Sequence, residues 1–213
     1  MKHVLLILAL LSPAFLHSAE DIVPIAQFSL GKLDNWESHK LTGSTKYSIV
    51  GDEDQLVLKA NSQQSASGLV KKQTIDLYKT PILNWRWKVE NPLYRLTETF
   101  KEGDDFSARI YVIKDGGVFF WKTLALNYVW SSSQKKNSLW DNPFSSNAKM
   151  IAVESGSKLR NQWIAERRNV LQDLKKAFGY EIRFINAIAI MTDTDNSKQS
   201  AIAYYGDIYF SKN

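Results

Sequence analysis

Apolar and polar side chains alternate along most of this chain with a period of two residues. This alternation is typical of β-strands that bury one face, and turn-forming pairs such as Gly51-Asp52 and Asn91-Pro92 separate most of the segments. The chain is therefore expected to be mainly β. The pattern predicts strands over residues 45–50, 55–60, 68–75, 82–89, 105–113, 119–130, 148–154, 187–193 and 201–210.

One segment shows the spacing of a helix instead. Between Asn161 and Phe178 the apolar positions recur at helical intervals, and Gly179 is placed to end the helix. Many strands with one inserted amphipathic helix predict a two-sheet antiparallel sandwich of the jelly-roll type. No repeat or linker divides residues 20–213, so we predict a single β-sandwich domain over this range.

The central predicted strands each have one apolar and one polar face. The side chains expected to face the core are Trp85, Trp87, Val89, Phe106, Ala108, Ile110, Val112, Leu124, Leu126, Tyr128 and Trp130. The opposite faces carry Arg86, Arg109, Tyr111 and Asn127. These polar side chains suit a groove for a polar ligand, since a guanidinium binds a carboxylate or sugar hydroxyls through paired N–H donors. The alternative is the ordinary solvated side of a half-buried sheet.

Two acidic clusters lie at the ends of predicted strands, where loops gather. Asp104 and Asp105 begin one strand, and Asp193 and Asp195 end another. Carboxylate oxygens bind hard cations, so structural calcium is the candidate cofactor, with Asp104 and Asp195 as candidate metal ligands. The same residues are consistent with turn formation and with pairing to an arginine. The spacing departs from the known calcium loop, because Tyr204 stands where that loop has its glutamate.

The N-terminal segment has the organisation of a secretory signal peptide. Lys2 and His3 give a basic start, residues 4–11 are apolar, and small residues lead to Ala19. The apolar run is too short to span a bilayer, which needs about 20 residues. We therefore predict a signal peptide over residues 1–19, and a periplasmic or secreted protein without a stable membrane anchor. The chain has no cysteine, which excludes disulfides and an acylated thiol.

Charge and histidine content argue against several function classes. The chain carries 27 Lys and Arg against 22 Asp and Glu, but the basic residues are scattered and form no long block. Nucleic-acid binding is not expected, because it needs a clustered basic face. His39 is the one histidine that follows the predicted signal peptide, which argues against a zinc site and against a serine triad.

Several motifs in one order resemble known families. Trp85-Arg86-Trp87, Gly103 to Phe106 and Met191 to Asn196 resemble a bacterial family of exported proteins defined only as a domain of unknown function. That resemblance implies no established activity. More distantly, Phe28 to Gly31 and Tyr205 to Phe210 are similar to galactose-binding-like jelly rolls and carbohydrate-binding modules. These modules imply sugar recognition on one sheet, often with a structural calcium.

These observations favour a non-catalytic, exported β-sandwich that binds a carbohydrate or another polar envelope ligand on one sheet face. The candidate ligand-binding residues are Arg86, Arg109, Tyr111, Asn127, Asp105 and Asp193. One alternative is a glycan-active enzyme in which Asp105 and Asp193 form a carboxylate pair. Direct pairing of a carboxylate to Arg109 would instead favour a structural role. The other alternative is a scaffold or protein-interaction module, which a large exposed apolar patch would favour.

Overall fold

Two seven-stranded β-sheets face each other in the computed structural model, which describes residues 22–118 and 120–213. The predicted signal peptide, residues 1–19, lies outside these described residues. The predicted mainly β sandwich with one helix is confirmed. Along the first sheet the strand order is β1-β14-β6-β13-β4-β3, with β11 also paired to β6, and along the second it is β2-β5-β12-β7-β8-β10-β9.

The first sheet is built from strands spread over the whole chain. Its strands are β1 (Val23–Ala26), β3 (Lys46–Asp52), β4 (Gln55–Gln63), β6 (Ile82–Val89), β11 (Ile164–Asn169), β13 (Ser200–Tyr205) and β14 (Ile208–Ser211). The strands of the second sheet are β2 (Glu37–Thr42), β5 (Ala66–Asp76), β7 (Arg109–Lys114), β8 (Leu124–Ser131), β9 (Leu139–Asn142), β10 (Ser145–Ser155) and β12 (Phe184–Asp193). Short 3-10 helices cover Phe28–Leu30, Lys101–Gly103 and Phe120–Lys122.

The core between the sheets contains the apolar faces predicted for the central strands. Trp87 of the first sheet packs 6.0 Å from Trp130 of the second, measured between ring centroids. Trp85 lies 5.4 Å from Tyr128 in the same way. All four side chains are buried. Because burying large aromatic rings removes much apolar surface from water, these contacts between the sheets are a main source of stability.

The pairing of the strands departs from the prediction in two respects. β8 and β10 run parallel, whereas every other strand pair within the described residues is antiparallel. In addition, β1, β2, β9 and β11 are not among the predicted strands. β2 shows why, since all six of its residues are exposed and it is held by main-chain pairing to β5. An edge strand of this kind needs no apolar alternation.

Only the second half of the segment predicted as a helix is helical, and much of its first half forms a strand. Residues Ile164–Asn169 form β11 against β6, and the helix α1 covers Val170–Phe178 alone. Asn169 caps the helix through its side chain, which accepts a hydrogen bond from the Gln172 backbone N–H at 3.0 Å, and Gly179 ends it as predicted. The open edge of β6 supplied pairing partners for residues 164–169. Within the described residues, no helix is long and apolar enough to cross a membrane.

Candidate functional site

A groove crosses the outer face of the second sheet, on the side away from the core. Its volume is about 380 Å³. The floor comes from alternate residues of β12, β7 and β8, where Tyr111 pairs across the strands with Asn127 and Arg109 pairs with Met191. The predicted candidates that line the groove are Arg109, Tyr111, Asn127, Asp193, Asp104 and Asp195. The structure therefore brings most of the predicted polar residues together.

The guanidinium of Arg109 donates its hydrogen bonds to protein groups, so it does not extend into the groove as a free pair of donors. Its Nε donates to Asp193 Oδ1 at 2.8 Å, and its Nη2 donates to Asp193 Oδ2 and, at 2.7 Å, to the Asp104 backbone oxygen. Its Nη1 donates to the Tyr111 hydroxyl at 3.0 Å. The direct pairing to a carboxylate is the arrangement that favours a structural role. Arg109 therefore acts as a positioning residue, which fixes Tyr111 and Asp193 at the groove.

The electrostatics of this pair follow from its burial. Arg109 and Asp193 are both buried, as is Asp104, whose Oδ2 lies 3.9 Å from Arg109 Nη1. Burial alone lowers the pKa of Arg109, but Asp193 and Tyr111 raise it well above its ordinary value, so the guanidinium keeps its charge. Burial raises the pKa of the Asp193 carboxyl, and Arg109 opposes that shift. The bidentate geometry indicates an ion pair.

Asp105 holds a loop and does not line the groove. It is fully buried, and its carboxylate accepts hydrogen bonds from the backbone N–H groups of Asn196 and Ser197, at 3.2 and 2.5 Å. These bonds fix the turn after β12, which carries Asp195 to the groove. The predicted strand from residue 105 begins only at Arg109. Phe106 is buried as predicted, but it packs in a second cluster with Val129, Met150 and Trp140.

Arg86 lies in the other sheet, and the prediction that it shares a face with Arg109 and Asn127 is wrong. It belongs to β6, whereas Arg109 and Asn127 belong to β7 and β8. The strand alternation correctly placed all three side chains away from the core. Which sheet each strand joins depends on long-range pairing, and alternation within one strand carries no information about that.

Two acceptor oxygens of side chains that line the groove have no hydrogen-bond donor within the described part of the chain. Asn127 donates through Nδ2 to the Lys149 backbone oxygen at 3.1 Å, and its Oδ1 is buried without a partner. Asp104 accepts a bond from Asn142 Nδ2 at 2.9 Å through Oδ2, and its Oδ1 is likewise buried without a partner. Buried acceptors are normally satisfied, so each of these oxygens calls for a donor such as an ordered water molecule or a ligand hydroxyl.

The walls of the groove consist of residues that the sequence pattern does not identify. Leu41 and Thr42 of β2 form one part, and Asn142 and Phe144 of the β9–β10 turn form another. Phe144 is 56% exposed, so its ring is accessible at the edge of the groove. The Asn142-Pro143 turn signal was visible in the sequence. Its proximity to Asp104, 38 residues earlier, depends on the pairing of β10 with β8.

The acidic residues fit a calcium ion poorly. Asp105, Asp193 and Asp195 can each bring an oxygen within 4.8 Å of the others, while Asp104 lies outside this group. However, the oxygens of Asp105 and Asp193 already accept N–H donors, and the Arg109 guanidinium lies directly on Asp193. Calcium takes six to eight oxygen ligands, and a neighbouring guanidinium repels it. Arg109 therefore supplies the positive charge that a metal would otherwise provide.

Treatment with EDTA should leave the melting temperature of the purified protein unchanged. A calcium ion bound only to the folded state would raise that temperature by mass action, and its removal would lower it. Differential scanning calorimetry with and without chelator, followed by addition of CaCl₂, measures the difference. A fall in melting temperature that calcium reverses would restore the predicted metal role of Asp104 and Asp195.

The chain is similar to carbohydrate-binding folds in structure. The family 30 carbohydrate-binding module of a Clostridium thermocellum cellulosomal cellulase superposes with a TM-score of 0.53 and 11% identity, over 90% of this chain and 98% of the module. The cellulose-induced protein Cip1 superposes with a TM-score of 0.50 and 10% identity, over 89% of this chain and 97% of that protein. At these identities the likeness shows the β-sandwich fold alone.

A family model matches most of the chain by sequence. The model described as "Protein of unknown function (DUF3047)" matches residues 34–209. No curated protein matches the chain.

Proposed function

The chain belongs to the DUF3047 family of proteins of unknown function, and we propose that it binds a neutral or amino-bearing carbohydrate in the groove of its second sheet. The observation that carries this proposal is the pair of acceptor oxygens, Asn127 Oδ1 and Asp104 Oδ1, for which the described part of the chain supplies no donor. Sugars present many hydroxyl donors in a small volume, and a groove of about 380 Å³ is within the size range of small-ligand sites.

The rim of the groove adds an apolar contact surface. The exposed ring of Phe144 lines one wall, and Leu41 lines another. A carbohydrate ring has apolar C–H faces as well as hydroxyl groups, so it can cover an aromatic side chain while its hydroxyls reach polar groups below. An apolar surface with a few fixed polar groups is the usual composition of a ligand site. The fold similarity to carbohydrate-binding modules is consistent with this use of a sheet face.

The charge of the groove distinguishes between classes of sugar. Three carboxylates, Asp104, Asp193 and Asp195, line it together with one guanidinium, that of Arg109. This excess of negative charge disfavours uronic acids and sulfated sugars, because like charges repel most strongly where burial lowers the effective dielectric constant. Neutral sugars carry no such penalty, and a protonated amino sugar is attracted.

The arrangement of Asp105 and Asp193 favours binding over catalysis. A carboxylate pair in a glycosidase flanks an open space that holds the scissile bond. Here both side chains are buried, Asp105 is bonded to backbone N–H groups, and Asp193 is bonded to Arg109. We therefore assign the two carboxylates to positioning of the groove. Export to the periplasm, as indicated by residues 1–19, would place the protein where glycans of the cell envelope are accessible.

Phe144→Ala should weaken binding of a carbohydrate about tenfold, which corresponds to roughly 1.4 kcal/mol. The probes are tetrasaccharides of glucose, glucosamine and galacturonic acid, measured by isothermal titration calorimetry. We expect binding of the first or the second and no binding of the third. Phe100→Ala is the matched control, because Phe100 is exposed to a similar degree and lies outside the groove.

Two outcomes would contradict this proposal. One is the absence of binding to all three tetrasaccharides. The other is an equal loss of affinity in Phe144→Ala and Phe100→Ala, which would place the contact elsewhere. Asn127→Ala provides a further readout, since it removes one of the two unpartnered acceptors from the side chains that line the groove. Its thermal melting curve separates a loss of binding from a loss of folding.

A further inference from the structure

A half-buried arginine on the outer face of the first sheet makes no side-chain hydrogen bond to any residue that the structure describes. The Arg86 guanidinium has no acceptor among the described residues, and its Nη2 is buried. A guanidinium carries five N–H donors, and leaving a buried charged donor unpaired costs more free energy than leaving a neutral one unpaired. The side chain therefore calls for an acceptor that the chain itself does not provide.

The surrounding residues hold this guanidinium in one place. Its Cζ atom lies 4.4 Å from the centre of the Trp163 ring, and Trp163 is itself fixed by a 2.8 Å bond from Nε1 to Asp52 Oδ2. On another side Arg86 lies against Gly206, where an added Cβ would approach Arg86 Cγ to 2.6 Å. Gly206 thus leaves the space that the arginine occupies. A rigidly held donor loses little entropy when a ligand binds.

Arg86 lines a cavity of about 420 Å³ between β6, β11 and β14. Arg167 lines the same cavity, is exposed, and makes no ion pair with any residue that the structure describes. Asn84 and Tyr209 add polar groups to the lining. Neither arginine forms an ion pair within the described residues. Their guanidinium groups can therefore offer paired N–H donors to the oxygens of an oxyanion.

The carboxylates at this cavity have other hydrogen-bond partners. Asp207 lines the cavity and accepts hydrogen bonds from the backbone N–H and hydroxyl of Ser29, at 2.9 and 2.5 Å. Asp52 is paired with Lys88, and its charge also acts on Arg86. Glu166 lines the cavity as well, and burial raises the pKa of its carboxyl. Within the described residues none of these carboxylates accepts a hydrogen bond from Arg86 or Arg167, so the guanidinium donors are left for a ligand.

We propose that this cavity binds an oxyanion, a carboxylate or phosphate group of a small ligand, through the guanidinium of Arg86 with Arg167 as the second cation. The site is separate from the groove of the second sheet, because it lies on the outer face of the first sheet. The protein would then present two ligand surfaces, one on each outer face of the sandwich. This inference does not depend on the proposed function of the groove.

Isothermal titration calorimetry of the full chain with glucuronate, inorganic phosphate and glucose tests the proposal. We expect glucuronate or phosphate to bind and glucose not to bind at this site, and the two anions distinguish a carboxylate ligand from a phosphate ligand. Arg86→Gln should lower the affinity for the anion about tenfold or more, as expected for the loss of hydrogen bonds to a charged group. Arg95→Gln, which removes the same charge from an exposed loop position outside this cavity, should leave affinity unchanged.

Gly206→Ala keeps the charge of Arg86 but fills the space that the Arg86 side chain occupies. The added methyl group would displace the arginine, and affinity for the anion should fall as in Arg86→Gln. Circular dichroism of each variant shows whether the fold is intact. The proposal is overturned if neither anion binds, if Arg86→Gln binds like the unaltered protein, or if Arg95→Gln weakens binding to the same extent.

Discussion

Arg109→Ala is expected to lower the free energy of unfolding by about 3 to 5 kcal/mol, the usual cost of removing one partner of a buried ion pair. The substitution leaves the Asp193 carboxylate buried without its two guanidinium donors. It also takes a donor from the Tyr111 hydroxyl and from the Asp104 backbone oxygen. Unfolding in urea, monitored by tryptophan fluorescence, gives the free energy for the variant and for the unaltered protein.

Arg183→Ala is the matched control for this experiment. Arg183 also forms a bidentate pair, with Asp76 at 2.8 and 3.1 Å, but its side chain is 49% exposed. Water replaces the lost donors at an exposed site, so the effect should be far smaller. Similar small losses in both variants would show that Arg109 is not a buried structural residue, and would favour a guanidinium that points into the groove.

Trp87→Ala should destabilise the protein by about 3 to 5 kcal/mol, the range for removal of a large aromatic side chain from a core. Trp87 is fully buried, lies edge-on to Trp85 at 5.5 Å between centroids and contacts Trp130 of the other sheet. The substitution leaves a cavity between the sheets, because two rigid sheets collapse only partly around a missing ring. Thermal and urea unfolding both report the loss.

The same chemical change at an exposed position controls for the loss of a tryptophan. Trp121 is 57% exposed, so Trp121→Ala removes far less buried surface and should cost much less stability. If Trp121→Ala proves the more damaging of the two, the face of β6 that carries Trp87 is not the core face. The alternation on which the whole fold prediction depends would then be inverted.

The central strands were the most predictable elements. Residues 82–89 were predicted as a strand and form β6 with those bounds, because the alternation of Leu83, Trp85 and Trp87 with polar residues is complete. The edge strands β2 and β9 and the strand β11 were not predicted. Their residues are mostly exposed or half-buried, so no regular alternation identifies them. Main-chain pairing to a neighbour, which is independent of side-chain polarity, holds them in place.

The candidate site was only partly accessible from the sequence. Arg109, Tyr111 and Asn127 alternate with core residues in the sequence, and all three line the groove. The sequence does not decide the role of Arg109, since Asp193 stands 84 residues away in the chain and its distance to Arg109 depends on the pairing of β7 with β12. The walls formed by Leu41 and Phe144 depend on similar long-range contacts.

The local structure of the central strands, and the face on which each of their side chains lies, follow from the amino-acid sequence. These properties depend on residues one or two positions apart, so the period of the pattern contains them. Which strands share a sheet is visible only in the folded protein. The tertiary structure places Arg86 and Arg109 on opposite outer surfaces of the sandwich and gives Arg109 a carboxylate partner. Strand pairing is a long-range choice among many compatible edges, and the free energy of the whole assembly selects it.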